Sequence, residues 1–245
     1  MAEGIDELDA SQTATAPSGR AGWRSLLGNR LLLGALLTTE PLVDDEPVAF
    51  DPCGQCRRCL NACPTGALDR PHHLDARRCL SYWTIEQAGP IPREWETLLG
   101  DCVFGCDRCQ DACPWSHVGR GNDLKSTSLV PLREDLRRLD LIELLSLDND
   151  AFQRRFSGTP ITRAGRNGLL RSVALVLGAR LRRAFDDEIA AVLCRGLNDP
   201  SAVVRQACAA ALCWCDRSEI RAVLSERLAV EEDERVRAAL SRHSE

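Results

Sequence analysis

The chain has 245 residues, a formal net charge of −5 and 44% hydrophobic residues, few of them aromatic. That length accommodates one sizeable domain or two small ones. The acidic balance excludes the global basic signature of a nucleic-acid binder, and all of its 31 basic residues except Lys125 are arginine, a bias that composition explains as well as function does.

Residues 1–20 are acidic, then rich in Ser, Thr and Ala, and lack the apolar core of a signal peptide. A disordered tail is expected there. Residues 21–50 contain Gly22-Trp23, the uncharged apolar run Leu31–Leu37 and Thr38-Thr39-Glu40-Pro41-Leu42. This reads as one strand or buried segment followed by a turn. The run is far too short to span a bilayer. A soluble, cytoplasmic protein without a membrane partner is expected, in a compartment where thiols stay reduced.

Eight of the 13 cysteines fall into one pattern between residues 51 and 121. The first run is Cys53-x2-Cys56-x2-Cys59-x3-Cys63-Pro64. The second is Cys106-x2-Cys109-x3-Cys113-Pro114, and Cys79 lies between them. The first run is the ferredoxin signature, whose fourth cysteine ligates the other of two iron–sulfur clusters. That crossing predicts one cluster on Cys53, Cys56, Cys59 and Cys113, and a second on Cys63, Cys79, Cys106 and Cys109. The alternatives are disulfides, which need an oxidising compartment, and zinc, which usually pairs two C-x2-C knuckles without a third cysteine at the same step. Short helices are expected after Pro64 and Pro114. Cys102 reads as a packing residue, and Cys194, Cys208, Cys213 and Cys215 as small buried hydrophobes. His72-His73 reads as a solvated loop rather than a metal site.

Leu132, Leu136, Leu139, Ile142 and Leu145 recur at helical spacing, which predicts helices over 131–156. From about residue 160 the sequence repeats. Leu170-Arg171, Val204-Arg205 and Val236-Arg237 occupy equivalent places in Ala/Leu-rich helical stretches. Asp199-Pro200-Ser201 starts the second of these helices, and Glu231-Glu232-Asp233 precedes the third. A step that recurs in register predicts a short HEAT-like α-solenoid, with an ordinary helical bundle as the alternative. The expected fold class is therefore α+β and mostly α. A ferredoxin-like double 4Fe-4S module occupies 51–121, a helical connector 122–159 and the HEAT-like repeats 160–245.

No acidic residue lies between Asp150 and Asp186. The interval holds Arg154, Arg155, Arg163, Arg166, Arg171, Arg180, Arg182 and Arg183. The first six are the candidate contacts to a nucleic-acid backbone, since arginine binds phosphate bidentately. The alternative is a solvated helix face paired to acids elsewhere, such as Glu134, Asp135 or Glu188.

Taken together the motifs resemble the epoxyqueuosine reductase family from about Gly34 onward. The residues that carry the resemblance include Cys53-Gly54-Gln55-Cys56, Ala62-Cys63-Pro64-Thr65-Gly66-Ala67 and Leu74-Asp75-Ala76-Arg77-Arg78-Cys79. They continue through Ser81-Tyr82-Trp83-Thr84-Ile85-Glu86, Gly89-Pro90-Ile91-Pro92, Gly105-Cys106-Asp107-Arg108-Cys109-Gln110 and Ala112-Cys113-Pro114-Trp115. The resemblance implies reduction of epoxyqueuosine to queuosine in tRNA. Electrons would pass through two 4Fe-4S clusters to cobalamin, and the arginines would grip the anticodon stem-loop. It also implies a reductant protein, and places Ser81, Thr84 and Asp107 at the cobalamin edge. Local backbone capping is the alternative for Ser81 and Thr84.

The family's cobalamin-binding domain, with its catalytic aspartate, precedes the clusters. Only 52 residues precede Cys53 here, and a Gly-Trp-x-Gly-Lys-Asn segment is reduced to Gly22-Trp23-Arg24-Ser25. Residues 21–50 are accordingly expected to be a remnant of that domain, and no catalytic acid is assigned. The expectation is an oxidoreductase once a separate cobalamin-binding domain is supplied. The competing reading is an iron–sulfur electron-transfer module with a HEAT-like docking surface and no chemistry of its own. A reductive dehalogenase relative, a third reading, fits neither the repeats nor the absent export signal.

Overall fold

The computed structural model describes residues 35–43, 53–116, 133–136 and 138–244. The expected disordered tail, Lys125 and Leu132 lie outside the described residues. In chain order the helices are α1 (Arg58–Ala62), α2 (Leu80–Ile85), α3 (Arg93–Glu96), α4 (Arg108–Asp111), α5 (Leu141–Leu145), α6 (Asn149–Phe156), α7 (Gly165–Arg183), α8 (Asp187–Gly196), α9 (Ala202–Leu212), α10 (Ser218–Val230) and α11 (Glu234–Leu240), with short 3-10 turns between some of them. They fall into two compact units. Among the described residues, one comprises those up to Ala76 with 107–116, the other Arg77–Cys106 with 133–136 and 138–244. Residues 77–106 belong to the larger helical unit.

The described residues are mostly helical, and most of the expected strand or buried segment lies outside them. Among the described residues there is no strand, and the single bridge joins Arg70 to His73. The described part of the expected strand or buried segment, residues 35–43, is irregular and exposed, with Leu37 97% and Val43 99% accessible.

In the smaller unit the helix lies before Pro64 and not after it. Cys63 adopts extended angles at the C-cap of α1, because the residue preceding a proline is barred from the helical region. Pro114 opens a 3-10 turn, Pro114–Ser116, the last described residues of this segment. Helix α1 packs against α4.

The larger unit is built around α7. Its residues 168–178 are buried without interruption, the mark of a central helix rather than an amphipathic surface one. Helices α2, α5, α8 and α9 pack against it, α9 also meets α8 and α11, and α10 meets α11. The predicted helical stretch 131–156 is split. Asp140 and Asp148 each accept backbone N–H groups as N-caps, starting α5 and α6 afresh. Leu136 closes a 3-10 turn instead of lying in a long helix.

The recurring apolar-Arg step has a structural meaning. Leu170, Val204 and Val236 are fully buried, and each following arginine reaches backbone carbonyls outside its own helix. Arg171 donates to the carbonyls of Trp83, Gln87 and Gly89. Arg205 donates to those of Asp199 and Pro200. Arg237 donates to those of Leu228 and Glu231. Each arginine thus supplies donors to carbonyls that helix ends and turns leave open.

Glu231 ties three helices together. Its carboxylate accepts from Arg205 at 2.9 Å, from Arg227 at 2.6 Å, and from the backbone N–H groups of Glu232 and Asp233 before α11. Its side chain is 1% exposed. The Arg205 bond is the largest influence on the carboxyl. With the N–H groups and Arg227 it outweighs burial and holds the pKa at about 2, below its usual 4.5. A depressed carboxylate stabilises the fold at pH values above its unfolded pKa, and that stabilisation is lost as pH falls toward 2. The shift corresponds to about 2 kcal/mol once discounted for water around the two guanidinium groups. Glu231→Gln is therefore expected to lower stability by about 2 kcal/mol at neutral pH. Near pH 2 it should be nearly neutral. Urea titrations across that pH range would read both limits, and a pH-independent difference would refute the linkage.

Candidate metal centre

In the smaller unit a tight turn, closed by the Cys56 N–H on the Cys53 carbonyl at 2.9 Å, presents the first two cysteines. Gly54 at its apex has φ +49°, a conformation glycine adopts without strain. Cys53 and Cys56 are exposed, and Cys59, Cys63, Cys109 and Cys113 are half-buried. Cys59 is carried by α1 and Cys109 by α4, the two helices that pack together. Cys113 follows α4, where its N–H donates to the Gln110 carbonyl at 3.1 Å. The Ser116 hydroxyl donates to that same carbonyl.

Cys63 shows what sulfur this site is built for. The loop Pro64-Thr65-Gly66-Ala67 folds back so that the Ala67 N–H donates to its Sγ at 3.2 Å, with the Thr65 hydroxyl at 3.6 Å. Burial raises the thiol pKa, yet backbone N–H groups of Leu68, Thr65 and Ala67 and the Thr65 hydroxyl together bring it below its ordinary value. Donors converging on sulfur favour the thiolate, the form that binds metal. The donor set fits a cluster ligand. Sequence reasoning missed this nest, although Thr65-Gly66 after Cys63-Pro64 is a turn signal that pointed to it. Among the described residues no three His, Cys, Asp or Glu side chains gather closely enough to hold a metal ion. His73 is engaged by Asp69 at 2.5 Å.

The larger unit carries Cys79 and Cys106. Cys79 is the N-cap of α2, and Cys106 follows Gly105, whose φ is +80°. Thr84 does not offer its side chain to a ligand: it is fully buried. Its hydroxyl donates to the Leu80 carbonyl at 2.9 Å and accepts the Gly105 N–H at 3.0 Å. The hydroxyl thus anchors backbone on both sides, the local role that was the alternative for Thr84. Ser81 is half-buried and its carbonyl lies 3.2 Å from the Thr84 hydroxyl. Asp107, in the smaller unit, is exposed at the N-cap of α4.

Most arginines of the acid-free interval have partners within the protein. Arg155 pairs with Glu143 at 2.7 Å, Arg163 with Glu86 at 2.8 Å and Arg180 with Asp101 at 3.3 Å. Arg166 makes a two-pronged contact to Asp199, both side chains being under 10% exposed, and donates to the Leu147 carbonyl. Arg171 is a core residue. Neither Arg166 nor Arg171 is placed to meet a phosphate. The missing counter-charges come from acids distant in sequence, on α5, on the 86–101 segment and before α9. Arg154, Arg182 and Arg183 are exposed, and the Arg182 guanidinium stacks 4.4 Å over Trp214 beside a cleft also lined by Glu96 and Leu175. Among the described residues no helix is long and apolar enough to cross a membrane.

Residues 52–116 match the family model of the 4Fe-4S double cluster binding domain. The chain is 39% identical over 214 residues to an epoxyqueuosine reductase of Alicycliphilus denitrificans, covering 84% of this chain and 58% of the relative. It is 38% identical over 182 residues to that of Escherichia coli, covering 71% and 47%. The structure superposes on the epoxyqueuosine reductase of Bacillus subtilis with a TM-score of 0.72 at 30% identity, over 83% of this chain and 52% of that one. It superposes with a TM-score of 0.70, at 29% identity over 83% and 52%, on an epoxyqueuosine reductase crystallised with an epoxyqueuosine-modified tRNA-Tyr stem loop. The chain spans about half the length of the curated relatives it matches. Sequence similarity over most of the chain, with the same fold in the solved structures, makes it a member of the epoxyqueuosine reductase family.

Proposed function

We propose that this chain is the cluster-bearing part of an enzyme that reduces epoxyqueuosine to queuosine in tRNA. The observation that carries the proposal is the Cys63 nest, a thiolate-stabilising loop inside the double-cluster motif of a family member. Cys53, Cys56, Cys59 and Cys113 are assigned to one 4Fe-4S cluster, and Cys63, Cys79, Cys106 and Cys109 to the other. When bound, the clusters supply one-electron transfer, and cobalamin on a separate domain supplies the reductive chemistry. Here the protein's own work is to hold thiolates, to position the clusters and to present a tRNA-facing surface. Asp107 and Ser81 are proposed to lie toward the cobalamin edge. The tRNA contact is proposed to use the exposed cations, Arg154 and Arg183 first, with Arg163 and Arg180 after release from their surface acids. Surface ion pairs of that kind are worth little and exchange readily for phosphate. Stacking of α7, α9 and α11 in succession supports a HEAT-like solenoid for this face, with 51–121 as the ferredoxin-type module and 122–159 as the connector. A soluble, cytoplasmic setting follows from the same reading.

Internal use of Arg155, Arg166 and Arg171 favours a second reading, an electron-transfer module whose helical face docks a protein. One set of measurements separates the two. Anaerobic reconstitution should give about eight irons per chain, two clusters of four. Cys113→Ala should halve that number. An anticodon stem-loop should bind with an affinity that falls steeply with salt, by counterion release. Adding a cobalamin-binding domain should then restore reduction of the modified base. Eight irons with no RNA binding would support the electron-transfer module, and a chain without iron would defeat both readings.

A further inference from the structure

Two adjacent residues in α2, Trp83 and Thr84, hold the backbone beside two cysteines that are 27 positions apart in sequence (106 − 79). The Thr84 hydroxyl accepts the Gly105 N–H at 3.0 Å across 21 residues, immediately before Cys106. The Trp83 indole N–H donates to the Arg77 carbonyl at 2.6 Å, two residues before Cys79. The Trp83 backbone N–H donates to the Cys79 carbonyl itself at 3.2 Å. Threonine bonding back to the carbonyl four residues earlier is ordinary helix behaviour. Capturing a distant N–H with the same hydroxyl is not, and here that N–H belongs to a residue at φ +80°. Both anchors are themselves fixed. Thr84 is fully buried, and the Trp83 carbonyl is one of the three that Arg171 grips. The Trp83 ring also packs edge-on against Trp95, with centroids 5.3 Å apart.

We propose that Trp83 and Thr84 are positioning residues that set the separation and orientation of Cys79 and Cys106 as ligands of one cluster. The proposal rests on the cluster reading above. Its chemistry is geometric: a cubane accepts thiolates only at fixed vertices, so the backbone that presents them must be held before the metal arrives. Sequence alone placed both residues in a family motif and gave them no such task.

The test uses the full chain, reconstituted anaerobically with iron and sulfide. Thr84→Val keeps the shape and removes the hydroxyl, Thr84→Ser keeps the hydroxyl, and Trp83→Phe keeps an aromatic ring, though a smaller one, and removes the indole N–H. Cys106→Ala identifies which cluster's signals belong to this pair of ligands. Thr84→Val and Trp83→Phe are each expected to shift the midpoint potential of that cluster alone. Each should also speed its iron loss to a chelator roughly fivefold, the effect of one lost hydrogen bond. Thr84→Ser should match the parent chain. If Thr84→Val fails to fold, Trp83→Phe decides. A parent that binds iron, with variants whose potentials and iron loss equal its own, overturns this proposal alone. A parent that binds no iron overturns the cluster reading, and this proposal with it.

Discussion

Replacing Arg171 with methionine is expected to lower the stability of the larger unit by about 4 kcal/mol. The guanidinium is 1% exposed and meets three backbone carbonyls, those of Trp83, Gln87 and Gly89. Burial pulls its pKa down to about 10, still far above neutral, so the residue folds as a cation. Methionine fills similar volume but leaves three part-buried acceptors without these donors. Each charge-assisted bond is worth about 1.5–3 kcal/mol, and desolvation of the arginine, which methionine avoids, offsets part of the sum. Arg171→Lys should fall between, at about 2 kcal/mol, because a point-like ammonium cannot span the three carbonyls as a planar fork does. Urea denaturation of the parent and both variants would rank them. A methionine variant within about 1 kcal/mol of the parent would mean that water replaces the donors and that the grip is unimportant.

Gly178→Ala should destabilise the same unit by about 3 kcal/mol, against the usual rule for a glycine in a helix. Alanine in a helix interior normally gains close to 1 kcal/mol over glycine. At position 178 the added methyl would sit 2.5 Å from the Ala211 Cβ and 2.7 Å from its Cα. Neither atom can rotate away, so α7 and α9 must separate along their whole contact. Gly168, in the same helix, provides the control. A methyl there would meet the Ala164 Cβ at 3.5 Å and an Arg171 nitrogen at 3.9 Å, ordinary contact distances. Gly168→Ala is expected to raise stability by up to about 1 kcal/mol. If both variants moved in the same direction, the close approach of α7 and α9 would not be the determining feature.

The two positions show why sequence reading reached some features and not others. The cysteine spacings and the recurring apolar-Arg step were legible because each is a local pattern with a fixed period. What the arginines do was not legible, since their partners lie far off in the chain. Arg166 finds Asp199, and Arg163 finds Glu86, so an interval without acids reads as an electropositive face when counted along the sequence alone. Thr84 was singled out by its motif, but nothing local reveals that its hydroxyl meets Gly105. The helix start at Asp140, inside the 131–156 stretch, was legible in principle. Aspartate followed by helix formers is a start signal, but the leucine periodicity ran across it and was the stronger pattern. Which glycine permits a helix contact follows only from packing: Gly168 and Gly178 look alike in sequence.

The grip of Arg171 also sets an order of events during synthesis. Its partner carbonyls belong to residues made 82 to 88 positions earlier, whereas Arg205 and Arg237 find their backbone partners within 9 positions. At about 5–20 residues per second, the segment after α2 waits on the order of ten seconds for the residue that secures it. Through that interval the backbone around Cys79 and Cys106 is translated but unlocked, while the loop holding Cys63 already has its own N–H donors within four residues. Iron delivered to a growing chain would thus meet, among the ligands assigned to one cluster, a formed loop at Cys63 and an unfinished backbone at Cys79 and Cys106. The ribosome's position, as much as the supply of iron, would decide when the remaining ligands of that cluster become ready.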